Sequence, residues 1–453
     1  VVGGSDAGIS AALRARECDP SVDVTVLVAD GFANFSICGL PYFLSGDVPD
    51  WRDLAHRTTA ELEAAGIELL LEHEATRIDP GGRTVMARAA AGDEVSLGYD
   101  RLVIATGAEP VRPAIPGIES DGVYQLHTMG DSFALDEALS REPGHAIIVG
   151  AGYIGLEMAE ALRTRDLEVT VVEQLPEVLP TVDPELGALV RRELERHDVR
   201  VLTGVGVNEI TDGDGRLSVR SAEDEIGRAD IVLVVVGVHP HTALALEAGV
   251  ATGARGAIQV DRQMRTSVAD IYAAGDCVVT YHRLLDSDAY LPLGTTAHKQ
   301  GRVAGENAVG GDRRFEGSLG TQVVKVFDLS VARTGLRQDE AEAAGFEPAT
   351  SESRVPDHKR YYPGAHEIAI RITADANTRQ LLGAQLAGHV SAEVPKRVDI
   401  FATAIHHAMS VEAVNDLDLS YAPPFGSPWD AVQLAAQDWR PRRSETQFGS
   451  PSR

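Results

Sequence analysis

The chain has 453 residues, enough for two or three domains with well-buried cores. It carries 41 Lys and Arg against 68 Asp and Glu, a formal net charge of −27, with 44% hydrophobic residues. A chain this acidic repels phosphate backbones and anionic lipid heads, and no apolar run approaches the roughly 20 residues of a membrane helix, so nucleic-acid and membrane partners are not expected.

The first element is the glycine turn Gly3-Gly4-Ser5-Asp6-Ala7-Gly8, with Ser5 where a dinucleotide-binding turn normally has its second glycine. Only Val1 and Val2 precede it, fewer than a full first strand, so the natural chain is expected to begin earlier. The strand over residues 22–28 should end in a ribose-binding acid, but Val28 is apolar and Asp30 is the nearest carboxylate. Next comes Asn34-Phe35-Ser36-Ile37-Cys38-Gly39-Leu40-Pro41-Tyr42-Phe43. Cys38 follows a polar loop and precedes an expected helix, whose N-terminus can lower a thiol's pKa. Phe43 occupies the place of a second cysteine in a CxxxxC pair, so Cys38 has no disulfide partner here. Cys18 and Cys277 read as structural, and three scattered cysteines suit a reducing cytosol and a cytoplasmic protein.

A helix is expected over 60–65, and strands over 101–105, 145–149, 168–172 and 231–236. Alternation of strands and helices through the first 310 residues predicts an α/β class with parallel sheets. The strand at 101–105 ends in the small-residue turn Thr106-Gly107. The strand at 145–149 runs into Gly150-Ala151-Gly152-Tyr153-Ile154-Gly155, which opens a helix through Glu157, and Glu173 ends the following strand. Glycines for the tight turn and close phosphate approach, a helix N-terminus for the pyrophosphate and a terminal acid for the ribose together describe an NAD site, with Gly237 closing a later strand. Glu173 repels a 2′-phosphate and favours NADH over NADPH. The two glycine turns lie a domain's length apart and predict a duplicated nucleotide-binding domain.

Farther along, a strand ends at Gly275-Asp276, and Leu293-Gly294-Thr295-Thr296-Ala297 starts a helix whose free N–H groups can face an electron-rich ring. With Gly3, Gly4, Ser5, Gly8, Asp30, Thr106 and Gly107, the residues Gly275, Asp276, Thr296 and Ala297 describe an FAD site. Residues 321–327 and 367–372 alternate like exposed antiparallel strands, and 398–409 is helical. The expected layout is an FAD domain split over 1–125 and 255–320, an NAD domain over 126–254, a third α+β domain over 321–440 and a disordered tail over 441–453. His298, His406 and His407 are not spaced as metal ligands, and no metal is expected.

These motifs resemble the single-cysteine branch of the FAD-dependent pyridine nucleotide-disulfide oxidoreductases, the group of coenzyme A-disulfide reductases, NAD(P)H persulfide or polysulfide reductases, and NADH oxidases or peroxidases. The resemblance runs from Val1 to about Asp430 and is most specific at 36–42, 105–117, 150–160, 271–277, 322–329 and 417–425. It implies two Rossmann-like dinucleotide-binding domains, a C-terminal dimerisation domain, and a homodimer in which the partner chain completes each flavin site. It also implies that Tyr361, Tyr362 and Tyr421 work near Cys38, that Phe425 contacts FAD, and that the substrate is a small thiol disulfide or persulfide.

Three departures qualify it. Asp6 stands where the family's oxidases and peroxidases carry a histidine facing the cysteine. Trp429 replaces a nucleotide-binding lysine of the coenzyme A-disulfide reductases, and Ile37 replaces their asparagine. Arg14 and Arg16 on the first helix remain candidates to meet substrate phosphates. Rival readings are an NADH oxidase or peroxidase reducing O2 or peroxide, a reductase feeding a protein electron carrier, and a non-catalytic NADH-sensing flavoprotein.

Overall fold

The computed structural model describes residues 1–213 and 215–440; the expected disordered tail at 441–453 lies outside them. The chain groups into two compact units, Val1–Pro180 with Leu194–Ser318, and Thr181–Glu193 with Leu319–Arg453. The fold is α/β, with two Rossmann-like halves in the first unit and a mixed α+β second unit.

The two halves repeat one plan. In the second half a five-stranded parallel sheet runs Val199–Thr203, Glu168–Glu173, His145–Val149, Ile231–Val234, Val123–Tyr124. In the first half the order is Ile67–Leu70, Val24–Leu27, Val2, Leu102–Ile104, Ile271–Ala273, where Val2 alone bridges its two neighbours in parallel. Two residues suffice because Val2 N–H donates to Val103 O, Gly3 N–H to Leu27 O, and Ala105 N–H to Val2 O. The inner strands Leu102–Ile104, Ile271–Ala273, His145–Val149 and Ile231–Val234 are buried at nearly every position, as inner strands of parallel sheets flanked by helices must be, while the outer strands are partly exposed. Each half also carries a three-stranded antiparallel meander, His73–Asp79 with Thr84–Ala89 and Glu94–Gly98, and Glu209–Gly213 with Arg216–Arg220 and Glu225–Ala229.

Helices Asp6–Cys18 and Gly294–Ala308 cross unusually closely. A Cβ on Gly301 would lie 2.2 Å from Ala7 O, and one on Gly305 2.1 Å from Ala11 O. Small residues four apart on both helices let the backbones touch. Ion pairs Arg14–Glu306 and Arg302–Glu17 line the seam. The expectation that Arg14 and Arg16 meet substrate phosphates therefore needs correction. Arg14 is taken by Glu306 and Glu17, and Arg16 donates to Pro20 O, Val22 O and Ala65 O, closing the helix onto its own connection.

The second unit is a five-stranded antiparallel sheet, Gln322–Val326, Leu329–Gly335, Leu381–His389, Glu367–Asp375, Pro348–Pro356, packed by helices Val394–His406 and Ala431–Asp438. Its strands are antiparallel as the sequence suggested, but Glu367–Asp375 is buried at nearly every position. Helix packing on a sheet of small residues such as Gly383, Ala384 and Ala387 hides a face that alternation alone marks as solvated. Arg397 is buried and donates to Ala392 O, Asp357 O and Asp430, locking the loops on either side of this sheet. Among the described residues no helix is long and apolar enough to cross a membrane.

Candidate active site

The two glycine turns have the same backbone. Gly3 and Gly150 take left-handed φ values of +113° and +106°, and a Cβ on either would strike a neighbouring strand's carbonyl, Ala105 O or Val235 O. Gly8 and Gly155 face the carbonyl of the first glycine of their own turn, where a Cβ would lie 1.9 Å and 2.0 Å away. Ser5 and Gly152 fill the N-cap positions of the helices Asp6–Cys18 and Tyr153–Thr164; the Ser5 hydroxyl does not cap its helix, and Gly152 has no side chain to do so. By contrast, helices Thr59–Ala64 and Met129–Leu139 each have a full capping box. Uncapped N-termini after tight glycine turns leave amide donors for pyrophosphate, which is the fit two dinucleotides require. The helix Gly294–Ala308 also starts without a side-chain cap at Leu293.

The second turn is completed by Glu173. It is buried at its strand end, where Oε2 accepts from Ala151 N–H at 2.8 Å and Oε1 from Leu175 N–H at 2.9 Å. Each carboxylate oxygen keeps a second lone pair for a ribose hydroxyl. Space is open around Gly152 and Gly237, and Tyr153, Ile154 and Glu157 follow on the same helix.

Around the first turn, Gly4 packs on Val28, which leaves no carboxylate at that strand end; Asp30 lies beyond it, exposed, accepting from Phe32 N–H. Thr106 donates its hydroxyl to His241 O, and Gly107 adopts φ +73° beside it. Gly275 N–H donates to Gln300 Oε1 at 3.0 Å, and the buried Gln300 donates in turn to Thr280. Thr296 and Ala297 are buried one turn earlier on that helix. Asp276 is half-buried beside Asp6, and its removal from solvent together with that second carboxylate pushes its pKa up to about 6. Asn34 Oδ1, buried against the same turn, accepts no hydrogen bond. A buried orphan acceptor beside an uncapped turn suits a site built for a polar ligand.

Cys38 sits in the 3-10 turn Ile37–Gly39, ahead of helix Leu40–Ser45. Its loop is stitched to the first turn: Asn34 N–H donates to Gly4 O, Ser36 N–H to Leu54 O, and His56 N–H to Asn34 O. Phe32, Phe35, Trp51 and Phe133 pack edge to face behind it. Helix Leu40–Ser45 lies against helix Tyr153–Thr164, which sets Cys38 among elements of both nucleotide-binding halves. All three cysteines are free; Cys277 is buried with Sγ 3.4 Å from Ala274 O, and Cys18 ends the first helix.

The expected lowering of the Cys38 pKa is reversed. Although the residue is partly exposed, burial around its sulfur pushes the thiol up, and the carboxylates of Glu157, Asp6 and Asp276 push it further. A helix of six residues cannot outweigh three acids. Burial, with Glu157 again among the acids, pushes the phenol of Tyr42 up to about 12, which keeps it protonated near Cys38. Tyr42, Gln300 and His56 were not singled out from the sequence. Tyr42 lies one helical turn beyond Cys38, and Gln300 one turn beyond Thr296, the spacing that could have exposed both.

The remaining aromatic residues belong to the second unit. Tyr361 is 74% exposed and Phe425 72%, with Tyr362 and Tyr421 also exposed. Tyr361 and Tyr421 are neighbours, and the Tyr362 ring lies 5.7 Å from that of His358. Phe425 lines a cleft with Asp357, His358 and Arg397.

Residues 1–301 match the family model described as pyridine nucleotide-disulphide oxidoreductase, and residues 321–431 match the dimerisation domain of the same family. A curated relative from Pyrococcus furiosus, named NAD(P)H sulfur oxidoreductase (CoA-dependent), is 34% identical over 442 residues, 96% of this chain and 98% of its own. One named coenzyme A disulfide reductase, from Staphylococcus haemolyticus, is 29% identical over 96% of this chain and 97% of its own. A solved structure of an NAD-dependent persulfide reductase from A. fulgidus superposes with a TM-score of 0.92 at 38% identity, covering 96% of this chain and 82% of that one.

Proposed function

Because the chain belongs to the pyridine nucleotide-disulphide oxidoreductase family, we propose that it is an FAD-dependent enzyme in which electrons from NADH or NADPH reach Cys38 and reduce a small disulfide or persulfide, such as a coenzyme A-type disulfide. The observation that carries this reading is the accessible, unpaired Cys38 thiol set among elements of both nucleotide-binding halves; Cys18, also exposed, sits at the end of the first helix, and Cys277 is buried. Bound FAD supplies the passage of two electrons from the nicotinamide hydride to sulfur.

The chain's residues do the rest. Gly3, Gly4, Ser5, Gly8, Asp30, Thr106, Gly107, Gly275, Asp276, Thr296 and Ala297 hold FAD. Gly150, Gly152, Tyr153, Ile154, Gly155, Glu157, Glu173 and Gly237 hold the nicotinamide dinucleotide, with Glu173 favouring NADH. Cys38 exchanges with the substrate: its thiolate attacks R–S–S–R, releases one RS⁻, and leaves a mixed disulfide. Two electrons and two protons, with one proton going to each sulfur that leaves, return free Cys38 and give two thiols in all. A persulfide R–S–SH consumes the same two electrons and yields the thiol RSH and hydrogen sulfide. The protonated Tyr42 phenol can donate to a departing thiolate.

Tyr361, Tyr362, Tyr421 and Phe425 are assigned to the partner-facing surface of a homodimer. The exposed phenol pair and Phe425 on a family dimerisation domain support that assignment. The free thiols suit a cytoplasmic enzyme. Asp6, in place of the histidine expected in an oxidase, weighs against O2 as the main acceptor.

The test is anaerobic steady-state NADH oxidation by the purified flavoprotein against coenzyme A disulfide, other small disulfides, a persulfide and peroxide, with O2 uptake measured separately. Turnover with a disulfide or persulfide at least about tenfold above that with O2 is expected. Oxygen uptake equal to NADH consumption, unchanged by any sulfur acceptor, contradicts the reading.

A further inference from the structure

The close crossing of helices Asp6–Cys18 and Gly294–Ala308 carries His298 onto the first helix. Its Nδ1 lies 2.9 Å from Ser10 Oγ and its Nε2 3.4 Å from Asp6 Oδ1. From the loop after Leu54, His56 brings its own Nε2 to 3.9 Å from the same carboxylate oxygen. One atom from each of the three side chains falls within 4.8 Å of the other two. Asp6 Oδ1 is buried and accepts no hydrogen bond. Two imidazole nitrogens therefore converge on a buried carboxylate oxygen at separations beyond the roughly 2.7–3.2 Å of a hydrogen bond.

We propose that Asp6, His56 and His298 form a binding site for one divalent transition-metal ion of the zinc class, ligated by Asp6 Oδ1 and the two Nε2 atoms.

The separations match the chemistry. Around a tetrahedral ion with bonds of about 2.0–2.1 Å, neighbouring ligand atoms lie about 3.3–3.4 Å apart. His298 already stands at that distance from Asp6. The exposed His56 ring has about half an ångström to close. The Ser10 contact supplies what a ligating histidine needs at its other nitrogen: when Nδ1–H donates to Ser10 Oγ, Nε2 turns its lone pair toward Asp6 and the ring is held in that orientation. Two imidazoles and one carboxylate are a donor set that zinc accepts, with a fourth position left for water or another ligand. A dication also removes the cost of leaving a buried carboxylate oxygen unpaired. Asp6 is also one of the carboxylates that push the Cys38 thiol up, but metal binding and sulfur-dependent NADH oxidation are read separately, so failure of one is distinguishable from failure of the other.

The test uses the FAD-loaded protein, freed of adventitious metal with a chelator and then titrated with Zn2+ in competition with a chromophoric indicator. One ion per chain is expected, with a Kd of about 1 µM or tighter. His56→Ala and His298→Ala should each weaken binding at least about tenfold, with flavin content and Tm unchanged from the parent. Absence of one-to-one binding overturns the site. So does equal binding by both histidine variants, or a loss that follows Cys38→Ser while both histidine variants still bind.

Discussion

The two glycine turns share a backbone and differ in their surroundings. The second is made entirely of the expected parts: three glycines, an uncapped helix and the buried Glu173 hydrogen-bonded back to Ala151. The first reaches the same geometry with Ser5 at the second position, Val28 where the acid belongs, and a first strand reduced to the bridge at Val2. What survives in both is the pair of positions where a Cβ cannot fit, Gly3 with Gly8 and Gly150 with Gly155. The difference teaches that close packing of a turn is the strict requirement. The acid and the middle glycine differ between the two turns.

Breaking each turn in the same way should separate the two sites. Valine at Gly3 or Gly150 must adopt a left-handed φ and overlap a strand carbonyl, a combined cost of about 3–5 kcal/mol. Gly3→Val should be purified without flavin and with no turnover. Gly150→Val should remain yellow and be reduced by dithionite, yet require at least about a hundredfold more NADH to reduce its flavin. Visible spectra and NADH titrations check both; if both variants lose flavin equally, the two turns do not hold different ligands.

A smaller effect sharpens the asymmetry. Asp276 beside the first turn is raised to about 6 from an ordinary 3.8, so its ionisation burdens the folded state without ligands. The sign follows from proton counting: between the two values the folded protein holds the proton more tightly, so its stability falls as pH rises from about 4 through 6. The span corresponds to about 3 kcal/mol. Denaturant unfolding of the flavin-free protein should show this fall, and Asp276→Asn should flatten it over that window. Smaller still is the influence of the NAD-side helix on the thiol. Glu157→Gln removes one of the charges that push Cys38 up, so alkylation of Cys38 by iodoacetamide at pH 7.5 should quicken about two- to threefold, with burial still holding the rate below that of a free thiol.

Much of this was legible in residue order. The α/β class, the parallel strands and the second turn all show as local patterns, because a parallel strand buried on both faces is a run of β-branched residues and a phosphate turn is a run of glycines. The two antiparallel meanders did not show. Strands such as Glu94–Gly98 lie at the surface with weak apolar alternation, and only pairing with their neighbours defines them. Cys38 was visible as a lone thiol after a polar loop, but its electrostatic setting was not, since Asp6, Glu157 and Asp276 reach it from three distant stretches of chain. The convergence of His56 and His298 on Asp6 was hidden for the same reason. It depends on the glycine-to-alanine contact between two helices far apart in sequence, which no spacing rule reports.

In the proposed reaction, electrons leave through the sulfur of Cys38. Rapid mixing of Cys38→Ser with NADH and then with a disulfide or persulfide substrate, without oxygen, tests it most directly. NADH is predicted to bleach the bound flavin as in the parent protein, and the substrate is then predicted to leave it bleached. Restoration of the colour at the parent's rate would mean that sulfur acceptors take electrons without this cysteine, and would contradict the claim.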